Sequence, residues 1–159
     1  MNCKMPELAD AFAAAGFRAV KTVRSSGNVV FQASGAEQGL RKKAEQTMQA
    51  HLGKAFMTFV RPVDELEALL VADPYRRFRL PAQAKRVVTF LSTDPASPPA
   101  LPLQRGDARI LALEGRTAFS AYVPGPNGPA FMTLIERTFG KDVTTRTWDT
   151  LRKVCAAAG

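Results

Sequence analysis

The residues best suited to hold a small anion lie in Ser26-Gly27-Asn28. Gly27 can adopt a positive φ and present backbone N–H groups to a negative charge. A hairpin turn favours Gly and Asn for the same backbone reason, so both interpretations stay open. Ser26 is not supported as a nucleophile, because the single histidine, His51, is distant in sequence and lies at a predicted helix end.

A second candidate site is Arg146-Thr147-Trp148-Asp149, where a predicted strand ends and a helix begins. Arg146 and the helix N-terminus could bind a phosphate or a carboxylate. Trp148 beside an exposed arginine could also stack on a base. The structural alternative is that Trp148 packs into the core, while Thr147 and Asp149 satisfy N–H groups of the first helical turn.

The densest basic stretch lies in the middle of the chain and contains Arg76, Arg77, Arg79, Lys85 and Arg86. Tyr75 and Phe78 are interleaved with these cations, which is the pattern expected of a nucleic-acid contact. The alternative is that the two aromatic side chains anchor a linker to the core while the arginines stay solvated. The interface of an RNA-binding ferredoxin-like sheet is not indicated, because the strand from Arg109 lacks paired aromatic residues.

Other familiar catalytic and cofactor-binding patterns are absent from the sequence. Cys3 and Cys155 form no C-x-x-C pair, and His51 has no partner at ligand spacing, so no metal site is predicted. The loop over 124–129 is not followed by the Gly-Lys-Ser/Thr of a phosphate-binding loop. The carboxylates form no clear acid–base pair. The sequence therefore predicts no cofactor and defines no enzyme.

Composition indicates a globular protein with a strongly positive net charge. The 159 residues contain 22 Lys and Arg against 14 Asp and Glu, a net charge of +8. Such a balance favours polyanionic partners such as nucleic acid, although an arginine-rich composition also follows from a GC-rich genome. The sequence contains neither a membrane-length apolar stretch nor an apolar signal core at its start, so we expect a cytoplasmic protein.

The elements that must position these residues follow from hydrophobic spacing. In the first part the spacing predicts helices over 5–15 and 40–52 and strands over 17–24, 29–31 and 56–60. A short helix from Pro62 follows. In the second part it predicts strands over 87–91, 110–113, 117–123 and 143–146 and helices over 129–139 and 148–155. The four prolines between Asp94 and Leu103 disfavour a regular helix there.

This order predicts an α+β fold of two tandem ferredoxin-like units (βαββαβ) with an additional C-terminal helix. The first unit covers 1–61 and lacks its opening strand. Residues 62–84 form a helix and a basic linker, and 85–159 form the second unit with the C-terminal helix. An incomplete first sheet should leave an open edge, through which the chain could form a homo-oligomer.

Several stretches resemble the bacterial family called domain of unknown function 1697. They are the helix over 4–15, Ser26-Gly27-Asn28-Val29-Val30-Phe31, the stretch from Leu134 to Gly140, and Thr145-Arg146-Thr147-Trp148-Asp149-Thr150. The resemblance implies two tandem ferredoxin-like units, and it implies no reaction because the family has none assigned.

The sequence departs from the family pattern at three places. Relatives usually begin with a strand reading roughly L-L-R-G-I-N-V-G, and this chain starts after it, which would account for the missing strand. Many relatives carry Asn at the positions of Thr147 and Asp149. Many relatives also have a Ser-Lys pair near the position of Pro129. This chain lacks that pair, so the resemblance implies no phosphate site there.

The leading functional prediction is a binding or structural protein that uses a basic surface. One alternative is general nucleic-acid binding through the basic stretch. Another is a small-molecule enzyme with a site between the two units, near Ser26 and Trp148.

Overall fold

The computed structural model describes residues 3–24, 27–54, 56–95, 97–125 and 130–158. Within these residues the chain has five α-helices and two antiparallel sheets, so the predicted mixed α+β class is confirmed. The chain divides into two compact units. The first comprises 1–70 and 149–159, and the second comprises 71–148. The predicted division differs, because it places the whole C-terminal helix in the second unit.

The first unit is built from two complete helices, a two-stranded sheet and most of two further helices. Its elements are α1 (Met5–Ala14), β1 (Arg18–Val23), β2 (Asn28–Gln32), α2 (Glu37–Leu52), α3 (Val63–Ala72) up to Leu70, and α5 (Trp148–Ala158) from Asp149. The predicted hairpin is present, since β1 and β2 pair antiparallel. Leu8 and Phe12 of α1, Phe17, and Ala44 and Met48 of α2 form one buried cluster, the first core.

The strand predicted over 56–60 is wrong. Residues 56–62 form neither helix nor strand, although Phe56 packs against the first core as predicted for an apolar position. A strand requires a neighbouring strand to pair its backbone groups. Among the described residues β1 and β2 pair only with each other, so the apolar character of 56–60 alone did not suffice.

The second unit is a five-stranded sheet with one helix packed on it. Its elements are β3 (Lys85–Leu91), β4 (Leu103–Arg105), β5 (Ala108–Glu114), β6 (Thr117–Tyr122), α4 (Ala130–Phe139) and β7 (Val143–Thr147), in the strand order β4-β5-β6-β3-β7. A 3₁₀ helix over Pro74–Arg77 lies in the segment predicted to be irregular. The short β4 was not predicted. Residues between 92 and 102 that are described contain no helix, in agreement with their prolines.

The two faces of this sheet have different partners. Val87 and Ile110 face α4 and form a cluster with its Phe131, Leu134 and Ile135. The register alternates, so Val88 and Phe119 point to the opposite face. There Phe119 contacts the rings of Tyr75 and Trp148. Both faces are therefore covered, and residues toward the middle of β3 and β6 are almost completely buried.

Two buried hydroxyl groups in the sheet, Thr89 Oγ1 and Ser120 Oγ, have no hydrogen-bond partner among the described residues. Burying an unpaired hydroxyl costs free energy, and valine has nearly the same shape as threonine. Thr89→Val should therefore raise the free energy of unfolding by about 1 kcal/mol. Urea denaturation would measure this gain. The control is Thr138→Val, because Thr138 Oγ1 already donates to Leu134 O at 2.7 Å, and it should bring no gain.

Candidate nucleic-acid interface

The start of the basic stretch is held in place by Asp73. This residue has a φ of 40°, and its carboxylate accepts a hydrogen bond from the Tyr75 backbone N–H at 3.3 Å. The same carboxylate lies 3.5 Å from the Arg76 guanidinium, which also donates to Val71 O at 2.9 Å. Arg76 is thus engaged in fixing the entry to the 3₁₀ helix, although 68% of its side chain is exposed.

Arg77 also has an acidic partner. Its guanidinium lies 4.0 Å from Glu114 and 5.8 Å from the centre of the Phe78 ring. Arg77 and Glu114 line a surface groove of about 530 Å³, together with Asp94, Pro95, Pro98, Pro99 and Leu101. The positive charge of this predicted contact residue is therefore partly balanced by carboxylates of the same unit.

The aromatic residues of the stretch do not form a stacking platform. Tyr75 is only 2% exposed, and its hydroxyl donates to Val87 O at 2.7 Å. Burial raises the pKa of Tyr75 well above its ordinary value, opposed by the backbone N–H of Ser120 and the charge of Arg86. Phe78 is half-buried beside Arg77. Tyr75 therefore anchors the segment to the core, as in the structural alternative.

The remaining arginines of the stretch lie near a further arginine, Arg109, which was not among the predicted contact residues. In the sheet register, Arg86 of β3 is opposite Ala121 of β6, which is opposite Arg109 of β5. All three therefore lie on one face, with the small Ala121 between the two arginines. Arg109 donates to Arg79 O at 3.1 Å, which brings residue 79 to the same end of the sheet. We call Arg79, Arg86 and Arg109 the basic row.

The basic row has no acidic partner among the described residues. No carboxylate in the described part of the chain lies within ion-pair distance of its three guanidinium groups or of Lys85. Arg86 instead lies over the Tyr75 ring at 5.7 Å from its centre. The second unit carries 11 Lys and Arg against 6 Asp and Glu, a net charge of +5. This end of the sheet thus presents unbalanced positive charge.

The predicted anion site falls on residues of both units. Ser26 lies outside the described residues. In the first unit Gly27 has a φ of 90°, and the side-chain amide of Asn28 donates to Val23 O at 3.0 Å, as a hairpin turn requires. In the second unit Trp148 is 3% exposed and meets Tyr75 edge-on at 5.1 Å. Trp148 is therefore a core residue and offers no exposed ring for stacking on a base.

Arg146 is a partly buried residue of β7. It donates to Thr144 Oγ1 and to Thr145 O, both at 2.8 Å, and burial lowers its pKa. In the first unit, Asp149 binds Arg24 at 2.7 Å and Lys153 at 3.6 Å, so its carboxylate serves ion pairs at the start of α5.

The thiol of Cys155 is not activated as a nucleophile. Cys155 is buried, and this burial, reinforced by the charge of Glu67, raises the pKa of its thiol. A raised pKa keeps the sulfur protonated and weakly nucleophilic. No group of three or more metal-ligating side chains is found in the ranges that the structure describes. None of the described helices has the length and apolar character needed to cross a membrane.

These observations define a mixed α+β protein with a basic row at one end of its larger sheet. The family model described as "Protein of unknown function (DUF1697)" matches residues 1–119, and the chain belongs to this family. The chain also resembles the solved structure of the conserved bacterial protein SP0830 from Streptococcus pneumoniae, with a TM-score of 0.67 and 16% sequence identity over 99% of this chain and 90% of that chain. This likeness concerns the fold alone. No curated protein matches the chain.

Proposed function

We propose that the protein is a non-catalytic binding protein that contacts nucleic acid through the basic row of its second unit. The observation that carries this proposal is the placement of Arg79, Arg86 and Arg109 at one end of the sheet, with no carboxylate of the described residues within ion-pair distance. Guanidinium groups bind phosphate oxygens in a bidentate manner and suit contact with a polyanion. The burial of the Tyr75 ring beneath Arg86 favours contact with the phosphate backbone over reading of bases.

This proposal narrows the predicted contact set. Arg79 and Arg86 stay in it, and Lys85 adjoins it at the start of β3. Arg109 is added because the sheet register brings it to the same face as Arg86. Arg76 and Arg77 contribute less, since each has an acidic neighbour within 4.0 Å.

A salt titration with paired double variants tests the proposal. The observed affinity of the wild type for a labelled single-stranded oligonucleotide should fall linearly on a log–log plot against salt. The double variant R86Q/R109Q should lower the magnitude of this slope by about 1.4, since each lost phosphate contact on a single strand contributes roughly 0.7. The matched control R76Q/R77Q removes the same formal charge from paired positions and should change the slope by less than half as much.

Three results would contradict nucleic-acid binding by the basic row. They are no binding at low salt, an affinity that does not change with salt, and equal slopes for the two double variants. Thermal melting of each variant would verify that the fold is retained, because the Arg109 side chain also donates to Arg79 O.

We also infer that the second unit has the ferredoxin-like arrangement, with a proline-rich segment in place of its first helix. Its long strands β3, β5, β6 and β7 stand in the order β5-β6-β3-β7, and neighbouring strands are antiparallel. This order and the position of α4 between β6 and β7 support the arrangement.

We infer the same arrangement for the first unit, with one strand position not filled by a described strand. Its order of α1, β1, β2 and α2 followed by residues 56–60 corresponds to the second unit without its first strand. By analogy with the second sheet, the unfilled position lies between β2 and 56–60.

The enzyme alternative depended on Ser26 and Trp148 forming a site. Ser26 lies outside the described residues and Trp148 is buried, so no described contact favours that alternative.

A further inference from the structure

A glutamine of β4 lies beside the outer arginine of the basic row. In the register of β4 and β5, Gln104 is directly opposite Arg109. Directly opposite residues of an antiparallel pair have their side chains on one face. Gln104 is therefore on the same face as Arg109 and Arg86. β4 is the last strand on this side of the described sheet, and Gln104 is exposed there.

The side chain of Gln104 offers a hydrogen-bond acceptor next to the donors of the basic row. Its amide nitrogen Nε2 donates to Gly106 O at 3.2 Å, a bond that orients the side chain at the turn between β4 and β5. The amide oxygen Oε1 has no partner among the described residues. Guanidinium groups carry donors only, whereas an amide oxygen accepts up to two hydrogen bonds. The row thus combines several donors with one acceptor.

This combination of groups matches the backbone of RNA better than that of DNA. Phosphate oxygens accept hydrogen bonds and suit the arginines, but an acceptor on the protein requires a donor on the ligand. The sugar–phosphate backbone of DNA has no donor, whereas RNA carries the 2′-hydroxyl on every ribose. The 2′-hydroxyl and the 3′-phosphate are attached to neighbouring carbons of the same ribose. A phosphate bound by Arg109 therefore brings a 2′-hydroxyl toward Gln104.

We propose that the protein prefers RNA to DNA because the side-chain oxygen of Gln104 accepts a hydrogen bond from a ribose 2′-hydroxyl whose phosphate is bound by Arg109. This inference rests on the proposed function and names its substrate class. Arg109 donates one N–H to Arg79 O at 3.1 Å, which fixes its guanidinium and leaves further N–H donors for a phosphate. Gln104 carries no charge, so it determines specificity without adding a phosphate contact.

A base edge suits the same acceptor less well than a ribose hydroxyl. The Tyr75 ring beneath Arg86 is buried and offers no face on which a base could stack. A base that is not stacked has no fixed position relative to Gln104. The 2′-hydroxyl, in contrast, has a nearly fixed position relative to the phosphate of its own nucleotide.

Two labelled oligomers that differ only at the 2′ position test this inference on the full-length chain. The probes are oligouridylate and oligodeoxyuridylate of equal length, and their binding is followed by fluorescence anisotropy over a range of salt concentrations. Wild-type protein should bind the RNA oligomer about fivefold more tightly, as expected for one additional net hydrogen bond. The salt dependence should be similar for both oligomers, because the 2′-hydroxyl is uncharged.

A variant and a modified probe assign this preference to the proposed hydrogen bond. Gln104→Met keeps the side-chain length but removes the amide oxygen, so RNA affinity should fall about fivefold and DNA affinity should stay unchanged. The control Gln46→Met makes the same change at an exposed position of α2 in the first unit and should alter neither affinity. A 2′-O-methyl oligomer lacks the O–H donor and should bind wild type as weakly as the DNA oligomer. Thermal melting verifies that each variant retains its fold.

The outcomes distinguish this inference from the proposed function. Equal affinities for the RNA and DNA oligomers, with salt dependence retained, would overturn the RNA preference and leave nucleic-acid binding by the basic row intact. A preference that persists in Gln104→Met, or that the 2′-O-methyl oligomer shares, would overturn the assignment to the Gln104 side chain. Absence of binding to both oligomers at low salt would contradict the proposed function and this inference together.

Discussion

Trp148→Ala should lower the free energy of unfolding by about 3–5 kcal/mol. The indole is 3% exposed and meets the rings of Tyr75 and Phe119 edge-on, at centroid distances of 5.1 and 6.4 Å. Alanine would remove these contacts and leave a cavity against Phe119, which is itself fully buried on a sheet held by hydrogen bonds on both sides. Because Trp148 is the only tryptophan, circular dichroism rather than intrinsic fluorescence should follow the urea transition.

Conservative and exposed variants make this prediction specific. Trp148→Phe keeps an aromatic ring and should cost about half as much as the alanine variant. Met132→Ala, at a side chain that is 37% exposed on α4, should cost less than about 1 kcal/mol. A Trp148→Ala variant as stable as the wild type would contradict the core assignment. If Trp148 instead stacked on a base, Trp148→Phe would alter oligonucleotide affinity at unchanged stability.

Much of the secondary structure could be predicted because local patterns determine it. Leu8 and Phe12 recur at helical spacing, and both are buried in α1. The β-branched run at 87–91 forms a fully buried stretch of β3. A glycine with positive φ follows α2, as predicted for Gly53. In each case, the pattern that predicts the element involves residues only a few positions apart in the sequence.

The failures involve partners that are distant in the sequence. The segment 56–60 is as apolar as a buried strand, but its strand state depends on a neighbouring strand elsewhere in the sequence. The position of Arg109 beside Arg86 could not be predicted because it follows from two strand registers, β3–β6 and β5–β6. The acidic neighbour of Arg77 could not be predicted because Glu114, which lies 4.0 Å away, is far along the chain. Spacing within one segment contains none of this information.

Wild-type protein should lose stability above pH 10 relative to a Tyr75→Phe variant. Burial raises the pKa of the Tyr75 hydroxyl above its ordinary value of 10.0, so the folded state retains a proton that the unfolded state releases. The stabilisation from this difference is complete below pH 10 and is lost as pH rises toward the folded-state pKa. The expected loss is about 1.4 kcal/mol per pH unit.

The comparison with Tyr75→Phe isolates this residue, because Tyr122 and all other titrating groups are common to both proteins. At pH 8 the variant should be less stable by about 1.5 kcal/mol, since Val87 O loses the hydroxyl that donates to it at 2.7 Å. The two stabilities should therefore become equal near pH 11 and then reverse, as measured by urea denaturation at each pH. Parallel stability curves would place the Tyr75 hydroxyl in solvent. That result would remove the anchor that links the basic stretch to the sheet, because the same side chain fixes the segment and lies under Arg86.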